Sequence, residues 1–169
     1  MFLPQEPARF LNVIEANKGI IYKVANVYCR DRENRKDLIQ EITLQLWLAF
    51  PKYDEQFKLT TWLYRIALNV SISFYRKQSS RNRLNQPLTT EILSLISEDD
   101  MLDTDAELTM LYRFIRELKE FDRALILLYL EERSQQEIAD ILGITPSNVS
   151  TKVVRIKEKL RQKFATIKS

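Results

Sequence analysis

The sequence predicts an all-α protein made of two small helical domains joined by an acidic linker. Three observations carry that prediction. Only two of the 169 residues are glycine, which argues against turn-rich β folds and glycine-built phosphate loops. Long stretches repeat their apolar residues at helical spacing. Charge is also segregated along the chain. Residues 1–83 carry 14 basic and 8 acidic side chains, residues 84–112 carry 7 acidic and no basic ones, and residues 113–169 carry 12 basic and 8 acidic. Two basic blocks therefore flank an acidic segment although the net charge is only +3. Domains are expected at 1–83 and 107–169, with residues 84–106 as linker.

The first helix is expected from Glu6 to Cys29, with Phe10, Val13, Ile14, Ile20, Ile21, Val24 and Val27 as core. The next runs from Arg35 to Phe50, and Leu38, Ile39, Ile42, Leu46 and Phe50 form its apolar face. Its opposite face mixes Asp37, Gln40 and Glu41 with Leu44, Trp47 and Leu48. A tryptophan and leucines among acids suit a protein interface, where a large aromatic anchors and polar neighbours fix register. Coverage by another helix of the same domain is the simpler alternative.

A loop at 51–58 follows, then a helix from Thr60 to about Gln78. Leu63, Ile66, Val70 and Phe74 face inward with Ala67 beside them. Trp62, Arg65, Asn69, Ser73 and Arg76 line the other side, with Lys77 near its edge. Aromatic and basic residues on one face, beside a loop that holds Lys52, Tyr53 and Phe57, point to single-stranded nucleic acid. Unstacked bases gain about 1–3 kcal/mol each on aromatic platforms, while cations hold the backbone. Trp62 fits a core position equally well. In the acidic segment, Pro87, paired threonines and Glu98-Asp99-Asp100 indicate a connector, with a helical piece around Ile92 to Ile96.

The last block is the most explicit. Ser134 followed by Glu137 is a capping box, Ile138, Ala139, Ile141 and Leu142 form a short apolar stripe, and Gly143 ends the helix. Thr145-Pro146 restarts it with a cap and a proline at the first helical position. In the second helix Val149, Val153, Ile156, Leu160 and Phe164 share one side, and Asn148, Thr151, Lys152, Arg155 and Lys159 the other. From Lys152 onward there are seven basic residues and one acidic, Glu158. This is a helix-turn-helix whose second helix offers what a major-groove reader needs, forked donors for base edges and cations for phosphates.

Composition excludes several classes. The chain has no histidine and one cysteine, Cys29, so Cys/His zinc sites, histidine-based triads and disulfides are not expected. The longest apolar run, Ala124 to Leu130, is too short to span a bilayer. Met1 to Ala8 lacks the basic start and apolar core of a signal peptide, so a cytoplasmic location is expected, and the DNA-binding reading adds the nucleoid.

Three stretches in this order resemble sigma factors of bacterial RNA polymerase, specifically the extracytoplasmic-function group of the sigma-70 family. DLIQEITLQLW at 37–47 is similar to region 2.2, TTWLYRIALNV at 60–70 to regions 2.3 and 2.4, and LYLEERSQQEIADILGITPSNVSTKVVRIKEKLR at 128–161 to region 4.2. The resemblance implies that Asp37, Leu38, Gln40, Glu41 and Trp47 dock on the clamp helices of core RNA polymerase. It implies that the 51–58 loop, with Lys52, Tyr53 and Phe57, captures a flipped base of the −10 element. Trp62, Arg65, Asn69, Arg76 and Lys77 would hold the separated strand. Gln135, Thr145, Ser147, Asn148, Ser150, Thr151, Lys152 and Arg155 would contact the −35 duplex. The partners implied are core RNA polymerase, promoter DNA and an anti-sigma factor. No cofactor, metal, small-molecule substrate or catalytic site is implied, so the protein would not be an enzyme. The chain departs from the family pattern at Leu68, where an arginine is common, at Ser73, where an aspartate is, and at Glu120-Phe121, which replace Leu-Pro.

Two other readings compete. An ordinary helix-turn-helix regulator would bind duplex DNA without polymerase, with residues 1–83 as a dimerisation or effector domain. A helical adaptor that binds only proteins would leave the Asn148–Lys159 face unused.

Overall fold

The computed structural model describes residues 6–84 and 106–168, which are helical with no strand among them. The chain divides into two compact units, Met1–Ser80 and Arg81–Ser169. The helical piece expected around Ile92 to Ile96, and the linker apart from Leu84 and Ala106, lie outside the described residues.

In the first unit, α1 (Glu6–Tyr28), α2 (Arg32–Ala49) and α3 (Leu59–Leu84) form an up-down-up bundle, with a short 3-10 turn at Phe50–Lys52. Contacts fix the directions. Phe10 near the start of α1 meets Trp47 and Phe50 at the end of α2, with ring centroids 5.0 and 5.3 Å apart. At the other end, Asn26 of α1 accepts a hydrogen bond from Arg35 of α2. On α3, Trp62 lies 6.2 Å from Phe50, while Tyr75 and Gln78 reach back to Tyr28 and Asn34.

Two boundaries differ from expectation by more than one residue. Helix α2 starts three residues early because the Asp31 carboxylate accepts from the Asn34 N–H and caps it. Helix α3 continues past Gln78 to Leu84, into the first residue of the expected linker. Leu38, Ile42, Leu46 and Leu63 are fully buried, as their spacing required, and each contributes about 1.5–3 kcal/mol. Val13, Ile14 and Ile20, expected in the core, are only half-buried. They flank Asn17, where the backbone leaves helical values (φ −123°, ψ 15°) and the side-chain amide donates to the Val13 carbonyl. Tyr64, Leu68 and Ser71 are buried without having been expected there.

In the second unit, α4 (Ala106–Arg116), α5 (Glu120–Leu130), α6 (Gln135–Leu142) and α7 (Pro146–Lys168) surround a core centred on α5. Ala124 through Leu128 are all buried, so α5 is enclosed by α4, α6 and α7. Arg123 is buried as well, and its Nε–H donates to the Leu118 carbonyl at 2.8 Å. Phe114 of α4 packs edge-on against Phe164 of α7 at 4.9 Å, and Glu117 pairs with Lys163 beside them.

Candidate nucleic-acid interface and docking face

The helix-turn-helix is set by its caps. The Ser134 hydroxyl accepts from the Glu137 N–H at 3.1 Å and starts α6. Gly143 ends it at φ 71°, ψ 34°, and the N–H groups of Gly143 and Ile144 both donate to the Ala139 carbonyl. Two residues on, the Thr145 hydroxyl accepts from the Asn148 N–H, and Pro146 opens α7. The Gln135 amide crosses between the helices and donates to the Pro146 carbonyl at 2.6 Å. Buried Ile138, Ala139 and Ile141 of α6 and Val149, Val153, Ile156 and Leu160 of α7 hold the pair on the core.

The opposite face of α7 is open. Thr145, Ser147, Asn148, Ser150, Thr151 and Arg155 are exposed and lie along one surface. Two of the expected DNA contacts have other engagements. Lys152 is half-buried with its ammonium 5.5 Å from the centre of the Phe121 ring, and the Gln135 amide N–H is committed to Pro146. Val154, 65% exposed, also lies on the outer side of α7. Periodicity alone gave no reason to single it out, since one exposed valine is ordinary on a helix surface.

In the first unit, aromatics gather at the start of α3. Tyr53 and Trp62 are half-buried with ring centres 5.0 Å apart, and Trp62 also leans on Phe50. The Tyr53 hydroxyl donates to the Phe57 carbonyl at 2.8 Å, and the Gln56 N–H donates to Asp54, so the loop is tied into a fixed turn. Phe57 is 52% exposed, with the Arg65 guanidinium 5.7 Å from its ring centre. Asn69, Ser73, Arg76 and Lys77 follow along the exposed side of α3, and Lys52 is exposed on the 3-10 turn. Leu68 is 2% exposed. Its departure from the family pattern is thus a packing residue facing the core, and the exposed side of α3 is made by its neighbours.

On α2, Asp37, Gln40, Leu44 and Leu48 are exposed, and Glu41 and Trp47 are half-buried. Trp47 is both a core and a surface residue: one edge meets Phe10 while the rest lines an apolar groove of about 540 Å³ between α1 and α2. Pro7, Leu11, Ile39, Gln40, Thr43 and Leu44 complete its walls. Leu38, placed by the resemblance among the docking residues, is a correction. It is 0% exposed because it points into the bundle, so it packs behind the exposed side of α2 and forms no part of that surface.

Comparison with known proteins accounts for both units. The family model described as Sigma-70 region 2 matches residues 13–81, and that of Sigma-70, region 4 matches residues 108–160. The chain is 27% identical over 165 residues to the ECF RNA polymerase sigma factor SigW of Bacillus subtilis, covering 92% of this chain and 88% of that protein. It is 25% identical to the ECF RNA polymerase sigma-E factor of Haemophilus influenzae, covering 84% of this chain and 82% of that protein. The fold is shared with CnrH, solved in complex with the cytosolic domain of CnrY, at a TM-score of 0.62 and 19% identity over 93% of this chain and 88% of that one. It is also shared with RpoE from Bartonella quintana, solved with the anti-sigma factor NepR, at 0.63 and 17% over 95% and 96%. An ordinary helix-turn-helix regulator is not favoured, because region 2 is matched in its own right. No helix among the described residues is long and apolar enough to cross a membrane. With regions 2 and 4 present in that order, the chain belongs to the sigma-70 family as a sigma factor of the extracytoplasmic-function type, which directs promoter-specific transcription with core RNA polymerase.

Proposed function

We propose that the two units, taken as 1–83 and 107–169, divide promoter recognition between them and are joined by the 84–106 segment. The exposed side of α2, with Asp37, Gln40, Glu41 and Trp47, docks on core polymerase. The tied loop with Lys52, Tyr53 and Phe57 receives a base that leaves the −10 stack, and Trp62, Arg65, Asn69, Arg76 and Lys77 hold the strand. Strand opening is driven by exchanging base stacking for aromatic contact. The exposed face of α7 from Thr145 to Arg155 reads the −35 duplex in the major groove, where Arg155 and Asn148 offer forked or bidentate donors. Gln135 supports this face by fixing the angle at which α7 leaves α6.

The observation that carries this reading is the capped α6–α7 pair, which holds a row of exposed polar side chains on a helix buried along its other side. The protein acts as a specificity subunit with no chemistry, cofactor or small-molecule substrate of its own, in the nucleoid. Because CnrH and RpoE were each solved with a binding protein, an anti-sigma factor is also proposed as a partner of this chain.

Gel filtration of the purified chain with core RNA polymerase tests the reading. Co-elution, followed by selection of promoters from random DNA, is the expected result. Elution apart from polymerase together with tight binding to a palindromic duplex would replace it with a dimeric regulator.

A further inference from the structure

Helix α1 consists of two segments that the protein holds very differently. At Asn17 the backbone leaves helical values, and the Asn17 amide donates to the Val13 carbonyl, the kind of side-chain insertion into the helical ladder that kinks a helix. Gly19 follows, a residue with little preference for helix. Beyond this weak point Ile21, Val24, Ala25, Val27 and Tyr28 are all buried, whereas of residues 7–20 only Phe10 is. The first segment is therefore an arm with a single buried anchor.

The arm reaches the base of the 51–58 loop. The Arg9 guanidinium lies 5.5 Å from the centre of the Phe50 ring, just before the loop, and pairs with Glu55 inside it at 2.7 Å. Phe10 packs edge-on against Phe50, which in turn meets Trp62, the ring against which Tyr53 of the loop lies. Hydrogen bonds within residues 50–57 shape the loop, from the Tyr53 N–H to the Phe50 carbonyl and from the Phe57 N–H to the Asp54 carbonyl. The arm adds a tie from that loop to α1.

We propose that residues 6–16 are a hinged arm, and that Arg9 and Phe10 are positioning residues that latch the loop in the shape that receives a base. When the arm swings at residues 17–19, the loop loosens. An exposed ion pair holds weakly, which suits a latch that opens, and the buried Phe10 ring supplies the rest of the hold. The purpose of the latch rests on the strand-capture reading above; the latch itself is a property of this chain alone.

Hydrogen exchange of the full-length chain, followed peptide by peptide, tests this with R9A, E55Q, R9A/E55Q, F10L and N17A/G19A beside the unaltered protein. Arg9 and Glu55 are exposed, F10L keeps an apolar anchor, and a Cβ at Gly19 meets nothing within 4 Å, so the fold is expected to survive by circular dichroism. R9A and E55Q are each expected to speed exchange of the 53–57 amides by about two- to five-fold, and R9A/E55Q by no more than either alone. F10L is expected to speed exchange in residues 9–16 and in the loop while leaving residues 21–28 unchanged. N17A/G19A carries helix through the hinge and is expected to slow exchange of the arm. Loop exchange unaltered by both R9A and E55Q would overturn the latch. Exchange sped evenly from residue 9 to residue 28 by F10L would overturn the hinge.

E55Q also separates the latch from its purpose, because removing an acid favours DNA by charge alone. Its holoenzyme is nevertheless expected to bind single-stranded −10 DNA more weakly, through the loosened loop. Binding as tight as that of the unaltered holoenzyme, with loop exchange faster, would overturn the strand-capture role and leave the latch standing.

Discussion

Replacing Gly143 with alanine probes the turn that sets the direction of α7. Gly143 sits at φ 71°, and a Cβ built there meets nothing within 4 Å. The substitution therefore creates no clash with the rest of the protein, and its cost is confined to the local backbone. A left-handed alanine costs about 1–2 kcal/mol. Alanine also restricts the unfolded chain, which returns about 0.4–1 kcal/mol. A net loss of about 1 kcal/mol follows, and with a urea slope of about 1–3 kcal/mol/M the midpoint should fall by roughly 0.5 M. Both tryptophans, Trp47 and Trp62, lie in the first unit, so tryptophan fluorescence follows that unit while far-UV circular dichroism follows both. Gly143→Ala should move the dichroism transition and leave the fluorescence transition in place. Gly143→Asn should do less harm, because asparagine tolerates the left-handed region. An alanine variant as stable as the parent, or an asparagine variant worse than the alanine one, would refute a left-handed residue at this turn.

Thr145→Ala removes the side chain that caps α7 and should cost about 1 kcal/mol in the same dichroism transition. Phe57→Ala should leave stability nearly unchanged, since the ring is 52% exposed, yet weaken binding of single-stranded −10 DNA by about 1–3 kcal/mol in a holoenzyme fluorescence assay. Arg155→Ala should cost about 1–3 kcal/mol on the selected −35 element and much less on scrambled duplex; an equal loss on both would make Arg155 a phosphate contact. Leu44→Ala should lower affinity for core polymerase without shifting the urea midpoint, because Leu44 is 48% exposed.

The helix-turn-helix was legible in the sequence because its determinants are local. Ser134, Gly143 and Thr145-Pro146 each act on backbone groups within a few residues, and each occupies the geometry its chemistry implies. Cores along single helices were legible for the same reason, as at Leu38, Ile42 and Leu46. What escaped depends on contacts between distant segments. Trp62 could be read as core or as platform because nothing in its own helix reveals that Tyr53 and Phe50 fold back over it. Arg123 looks like a surface cation in sequence, yet it is buried because the Leu118 carbonyl lies within reach of its Nε–H. The early start of α2 was missed because Asp31 sits in a run of charged residues with no apolar rhythm to mark a boundary.

The ring contacts Trp47–Phe10, Phe10–Phe50, Phe50–Trp62 and Trp62–Tyr53 form one unbroken series at 5.0 to 6.2 Å. Phe10 and Phe50 thus serve two neighbours each, and substitutions at the two tryptophans share these intermediates, so their effects should not add. For exchange of segments between relatives this sets a rule about where chains can be cut. A chimaera joined anywhere between residues 47 and 62 draws its ring series from both parents and must repack aromatic edges that were never matched. A junction after α3 carries the whole series across, together with the start of α1 that completes it.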